Sequence, residues 1–366
     1  MTRSIQDKRK TLVVLRASVG NLNMGVRPYN LHRALERLGC RLEYIDGLRL
    51  GRPRPGPMLK LARLLVTQRS RIGAFMLAHA FAAPVVRLLK ATGVPVILDV
   101  RDDPNLQDEA YGLPVEPDLW RRRRALLLKN FRLVDRVTVT SETYRRMYPS
   151  EFQERMVLIL NASDPEHFRC SELPQQRRVG VLSGLSPGRN LELLLEAALT
   201  LKTDFPDLEV AIGYQPYRDC ADYCRDLVKK YSCSWISFTT EIDYGKAPDF
   251  YSSCYATVIS HRKHEYFDAI TPVKLFDSMA SGRPVVSTDC SETAKILQEE
   301  QCGLVCDFTI EDMVSKLRLL LRDRDMASRL GQNGRRAVEE RHNWLGRAQS
   351  ILLGTGLLER LLRVGT

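Results

Sequence analysis

The sequence predicts an α/β chain built from two doubly wound parallel-sheet domains in tandem, and three observations predict it. Its 366 residues suit two domains of ordinary size, each able to bury its own core. Apolar runs of strand length alternate with longer amphipathic runs, the pattern of parallel strands joined by helical crossovers. The alternation pauses once, over the polar residues 169–177 with Pro174, and then restarts.

In order along the first half, strands are expected at Thr11–Leu15, Arg41–Ile45, 94–100, 137–140 and 156–160, with a helix over 29–38. In the second half, strands are expected at 179–182, 209–212, 236–239, Ala256–Ile259 and 284–287, and helices at Leu191–Leu201 and 221–230. The domain ranges that follow are 1–168, a linker at 169–177, 178–342, and a C-terminal amphipathic stretch at 343–366. Both domains read as Rossmann-like, so ligands are expected at the carboxyl ends of strands, in a cleft between the domains.

Composition narrows the partners. With 44% apolar and 27% charged residues, the chain is neither a disordered tail, nor collagen-like, nor a small disulfide scaffold. The net charge is +11, but residues 1–170 carry 30 basic against 17 acidic side chains, whereas residues 171–366 carry 25 against 27. The basic excess therefore belongs to the first domain and leaves three partners open: nucleic acid, an anionic membrane face or a phosphorylated substrate. The arginine run 121–124 lacks interleaved aromatics, which suits phosphates but not stacked bases, so nucleic acid is disfavoured. Residues 58–66 set leucines beside Lys60 and Arg63 on a short amphipathic helix. With Arg69 and Arg71, these form the expected membrane contact, against the alternative of a core-packed helix with solvated charges.

The longest apolar run, 74–86, is interrupted by His79 and Pro84 and is shorter than the ~18 residues a spanning helix needs. The polar first ten residues lack the apolar region of a signal peptide, so a cytoplasmic location is expected, peripheral on the inner membrane face. Nine cysteines show no C-x-x-C pair and read as reduced thiols. His261-x-x-His264-Glu265 offers two metal ligands without a third, and Asp323-Arg324-Asp325 reads as a solvated helix face; neither is taken as a metal site.

The strongest local signal is Thr271-Pro272-Val273-Lys274-Leu275-Phe276-Asp277-Ser278-Met279-Ala280-Ser281-Gly282-Arg283-Pro284-Val285-Val286. Pro272 fits a first helical turn with Thr271 as N-cap, and Gly282 ends the helix before a strand. Lys274 at the helix N-terminus makes an anion site, and Asp277 one turn later suits sugar hydroxyls; a plain surface Lys–Asp pair is the other reading.

This stretch resembles the donor-binding element of GT-B glycosyltransferases of the retaining family-four type, the group 1 glycosyl transferases. Other pieces are similar to that family in the same order: Asp135-Arg136-Val137-Thr138-Val139-Thr140-Ser141, Asn161-Ala162-Ser163-Asp164-Pro165-Glu166-His167-Phe168, and Ser183-Gly184-Leu185-Ser186-Pro187-Gly188-Arg189-Asn190. The resemblance implies a nucleotide-sugar donor held in the second domain, with Asp277 on the ribose, Arg189 on the diphosphate, and Gly184 and Thr271 beside them. Two departures stand out: Ala269 replaces the usual first Glu, with Asp268 one place off, and Ser183-Gly184 replaces a Gly-Arg pair. Lys274 then supplies the lost charge to the leaving diphosphate.

In the first domain the resemblance places Gly25, Arg27 and His79 at the cleft. At the end of Ile97-Leu98-Asp99-Val100-Arg101-Asp102, it makes Arg101 or Asp102 the group that positions or deprotonates the acceptor. The residues alone leave a simple β-to-α loop, a packed His79 and a structural Asp–Arg pair equally open. By resemblance the enzyme is of hexosyltransferase type, retains anomeric configuration and needs no metal or other cofactor; the basic amphipathic stretch 58–66 adds the expectation of a lipid-linked or membrane-proximal acceptor in glycan biosynthesis. No paired carboxylates of hydrolase type are apparent, which argues against a glycosidase. The rivals are a nucleotide-sugar 2-epimerase on the same fold and a non-catalytic membrane or nucleic-acid binder.

Overall fold

The computed structural model describes residues 10–16, 25–47, 55–78, 83–217, 219–240 and 242–362. The chain divides into two compact units. The first comprises Met1–Asp102, Glu116–Leu160 and Trp344–Thr366; the second comprises Asp103–Val115 and Asn161–Asn343.

The first unit holds a six-stranded sheet: β1 (Thr11–Leu15), β2 (Arg41–Ile45), β3 (Ile72–Leu77), β4 (Val96–Asp99), β5 (Arg136–Val139) and β6 (Met156–Leu158), in spatial order β2-β1-β3-β4-β5-β6. Every pairing is parallel. β3 and β4 are buried throughout and β1 from Leu12 onward, as strands covered on both faces must be. The expected apolar run 74–86 is thus strand β3 followed by the helix Ala83–Ala91. The helix Trp344–Gly354 packs on the helix Val26–Arg37, and Leu361 sits against Gly73 at the start of β3.

The second unit repeats the plan with β7 (Arg178–Leu185), β8 (Glu209–Pro216), β9 (Ile236–Thr240), β10 (Ala256–Ile259), β11 (Val285–Thr288) and β12 (Gly303–Cys306). Its order, β12-β11-β10-β7-β8-β9, runs outward from β7 to β9, then jumps back to β10. The strand order therefore reverses between the neighbours β7 and β10, the place where doubly wound sheets receive ligands. β12 was not expected from sequence, because its four residues include only partly buried Leu304 and Val305.

Two sequence boundaries shift. Residues 161–168, expected in the first domain, cluster with the second, and so do residues 103–115. The expected linker 169–177 is gripped by two arginines, one of them fully buried. Arg283, with no exposed surface, donates to the carbonyls of Ser171 (2.6 Å), Glu172 (3.1 Å) and Cys254 (3.2 Å), and Arg324 donates to Pro174 (3.0 Å) and Leu173. A guanidinium has five donors in one plane, so it satisfies several backbone carbonyls of an irregular segment at once.

Candidate active site

β7 ends at Leu185 and the chain turns through Pro187–Arg189 into the helix Leu191–Leu201, with Asn190 left-handed (φ +41°) at its start. The turn is pinned to the end of β10: Ser260 Oγ donates to the Arg189 carbonyl (3.0 Å), and the Arg262 amide to the Gly188 carbonyl (3.3 Å). This turn aims Arg189 back across the end of β7. Its Nη1 donates to Ser183 Oγ (2.8 Å) and to the Gly184 carbonyl, and its Nη2 donates to Tyr111 Oη (2.7 Å). Gly184 leaves room there, since a Cβ would stand 3.2 Å from Nη1 and the guanidinium would have to give way slightly.

The helix Val273–Ala280 brings in Lys274, whose Nζ donates to the same Ser183 hydroxyl (2.6 Å) and lies 3.4 Å from His261 Nε2. Two cations thus share one hydroxyl, and neither has a carboxylate partner among the described residues. Burial, then the nearby Arg189 charge, pushes the Lys274 ammonium well below the ordinary lysine range. Burial, then Lys274 and Arg189, holds His261 well below its ordinary value, so its imidazole is neutral. Burial opposes the Arg189 charge too, but the surrounding tyrosine oxygens, Tyr111 first, hold its pKa above the ordinary value. The arrangement is a cationic seat suited to an anion.

Asp277 does not join this seat. Its carboxyl accepts from Ser163 Oγ (2.6 Å) and is raised to about 8 by burial. Ser163 belongs to the Asn161-Ala162-Ser163-Asp164 motif, so two stretches that resemble the family separately meet here within one unit. Thr271 is not the N-cap: Pro272 occupies the cap position with ψ 138°, the helix starts at Val273, and the buried Thr271 carbonyl accepts from Asn161 Nδ2 (2.6 Å). The residue before a proline is pushed to extended backbone, which delays the helix start. Gly282 (φ +69°) does terminate that helix. Asp268 cannot stand in for the Glu replaced by Ala269. It accepts from the Ser291 amide (2.8 Å) and hydroxyl (2.9 Å) at the start of the helix Ser291–Glu299, and pairs with Lys263 (3.2 Å).

In the first unit, Arg27 is only 5% exposed and turns inward: it donates to the Leu160 carbonyl (3.0 Å) and reaches Asp99 (3.4 Å) at the end of β4. Asp99, which also accepts from Thr138 Oγ1 (2.6 Å), needs a counter-charge where it is buried, and this draws Arg27 away from the expected open face. Gly25 starts the helix with φ +76° and open space at its Cβ position. Arg101 is half-buried with its carbonyl accepting from Thr140 Oγ1 (3.1 Å), and Asp102 is exposed; the helix cap is the next residue, Asp103, which accepts from the Asn105 amide (3.0 Å). His79 lies outside the described residues.

On the helix Pro55–Thr67, Leu61 and Leu64 are buried while Leu59 (72%) and Val66 (84%) are exposed. Lys60 donates to the Tyr44 carbonyl (2.7 Å) and Arg69 to the Thr92 carbonyl (2.8 Å), and Lys60, Arg63, Arg69 and Arg71 form no ion pair among the described residues. No helix among them is long and apolar enough to cross a membrane, and no group of three His, Cys, Asp or Glu side chains could hold a metal.

Sequence reasoning missed Ser183 as the hydroxyl between the two cations, His261, and Tyr111. A signal for His261 existed, since it follows β10 at the point of strand-order reversal; Tyr111 had none, because it lies in sequence expected to belong to the other domain.

Residues 163–337 match the model of the family described as glycosyl transferases group 1. No curated protein matches the sequence significantly. Among solved structures, the fold is similar to sucrose-phosphate synthase of Thermosynechococcus elongatus (16% identity, TM-score 0.71, covering 96% of this chain and 99% of that one). It is also similar to a glycosyltransferase of Rickettsia africae (12%, 0.70, 96% and 99%) and to HepE of Anabaena in complex with UDP-glucose (14%, 0.66, 94% and 99%). With two six-stranded parallel sheets the chain has the GT-B fold, and its stretch 163–337, which carries Arg189, Lys274 and Asp277, matches the group 1 glycosyl transferases.

Proposed function

We propose that this glycosyltransferase moves a sugar from a nucleoside-diphosphate donor, bound in the second unit, to a membrane-proximal acceptor, with retention of anomeric configuration. One observation carries the donor assignment: Arg189 and Lys274, both half-buried, share the Ser183 hydroxyl without a carboxylate partner among the described residues, where the strand order reverses. As the bond to the sugar breaks, negative charge builds on the departing phosphate, and fixed cations in a dry site stabilise it without reorganising. These two cations take the part a metal plays elsewhere, so the reading calls for no metal. Asp277 accepts hydrogen bonds from the ribose hydroxyls, and Arg101 and Asp102 act on the acceptor. Support for a nucleotide-sugar donor comes also from HepE, whose structures contain UDP and UDP-glucose. A panel of UDP, GDP, TDP and ADP sugars, read by thermal stabilisation and by donor hydrolysis, tests this; one base should stand out, and no response to any of them would leave the non-catalytic binder.

The acceptor side rests on charge. Four basic side chains without ion pairs among the described residues, beside exposed Leu59 and Val66, suit an anionic membrane surface, each cation contributing about 1 kcal/mol there. Flotation with anionic vesicles is expected to recover the protein at low salt and lose it as salt rises; equal recovery with neutral vesicles would sink the membrane reading.

A further inference from the structure

The guanidinium of Arg189 is only partly engaged. Nη1 serves Ser183 and Gly184, Nη2 gives one hydrogen to Tyr111, and Nε is buried without any partner. Nε and Nη2 share one edge of the guanidinium plane, the edge that grips two oxygens of a phosphate. Tyr111 stands at that edge, its ring centroid 4.8 Å from the guanidinium carbon and its hydroxyl on Nη2.

Tyr111 is itself held from three sides. It packs edge-on against Tyr217 (4.4 Å between centroids) and Tyr266 (5.6 Å). Gln107, one turn earlier, ties those two rings together, donating to Tyr266 Oη (2.9 Å) and accepting from Tyr217 Oη (3.0 Å). The segment seats closely because residue 188 is glycine: a Cβ there would overlap the Ala110 carbonyl oxygen. The cavity left between Ser183, Arg189, His261 and Lys274 is about 10 Å³, room for about one water and far too small for a diphosphate.

We propose that Tyr111 is a donor-site residue that keeps the place of a phosphate oxygen: its hydroxyl accepts from Arg189 in the empty protein and yields when a diphosphate docks on the Nε and Nη2 edge. The inference rests on the donor assignment above and adds that the segment Asp103–Val115 shifts on binding. The exchange conserves the Arg189 hydrogen bond, since one oxygen acceptor replaces another, and fills the Nε donor that is now unmet.

Inorganic pyrophosphate, titrated calorimetrically into the full chain, tests it. Tyr111→Phe keeps the ring and removes the competing hydroxyl, so it should bind pyrophosphate about tenfold more tightly than the wild type, while Arg189→Met should lose binding. If Tyr111→Phe binds no more tightly while Arg189→Met loses binding, the placeholder role falls and the donor site stands; if Arg189→Met binds as well as the wild type, both fall. Amide hydrogen exchange of the wild type gives a second readout, independent of any variant. Exchange over 104–113 should quicken with pyrophosphate, and unchanged protection would overturn the proposal.

Discussion

Lys274→Met is expected to lower the turnover of sugar transfer by about 10²–10³ while making the empty protein more stable. The two effects have one cause. Lys274 is half-buried, the charge that acts on it is the like-charged Arg189, and its hydrogen bonds go to a hydroxyl and a neutral imidazole. In the empty protein this charge is a liability that a thioether of similar length removes; in the transition state it meets the charge on the departing phosphate. Calorimetric melting and steady-state kinetics on one preparation check it: a melting temperature higher by a few degrees with the loss of turnover is expected, and a less stable variant that keeps its turnover would refute the assignment. Linkage gives the pH signature. Since the folded pKa lies below the ordinary 10.5, the native state binds fewer protons than the unfolded chain, and stability falls as pH drops below 10.5. An arriving diphosphate reverses this by raising the Lys274 pKa, so donor binding takes up a proton and strengthens as pH falls.

Asp277→Asn is expected to separate stability from binding. The wild-type carboxyl titrates near 8 in the folded protein and near 3.8 when unfolded, because burial penalises its charge more than the Ser163 hydrogen bond supports it. Between those values the folded state binds the extra proton, so stability declines as pH rises from about 4 to 8, by about 1.4 kcal/mol per pH unit inside the window. Asparagine keeps the oxygen that accepts from Ser163 and cannot ionise, so the variant should show little of this decline and melt well above the wild type at pH 8, while matching it near pH 4. Donor affinity should fall at pH 8 and above, where the wild-type group is a carboxylate that accepts from ribose hydroxyls and asparagine is a weaker acceptor. Melting curves across pH 4–8 check the first part: parallel profiles for both proteins would show that Asp277 is not the buried acid.

Much of the scaffold was readable because periodicity reports local burial. Runs such as Thr11–Leu15 and Ala256–Ile259 are buried on both faces, and their apolar composition gave their limits without knowledge of neighbours. The two cations that meet at Ser183 were readable for a similar reason: Arg189 and Lys274 sit in short motifs whose turn and helix start are written in local Pro and Gly residues. Thr271 was misread as a cap because a cap can be assigned only once the competing partner is known, here Asn161. Arg27 failed likewise, drawn inward by a buried Asp99 that lies 72 residues away.

The sequence by itself determined two parallel α/β sheets, a strongly basic first half, and the kinds of residue that seat an anion. Each follows from local alternation, summed charge or nearest-neighbour chemistry. Tertiary structure decided what those residues do together. Ser183, Arg189, His261 and Lys274 converge only because β7 and β10 are neighbours, and Tyr111 reaches them only because Asp103–Val115 belongs to the second unit. Strand order is set by the packing of whole crossovers, and a side chain's ionisation by everything that excludes water from it, so neither is carried by any single stretch of the chain.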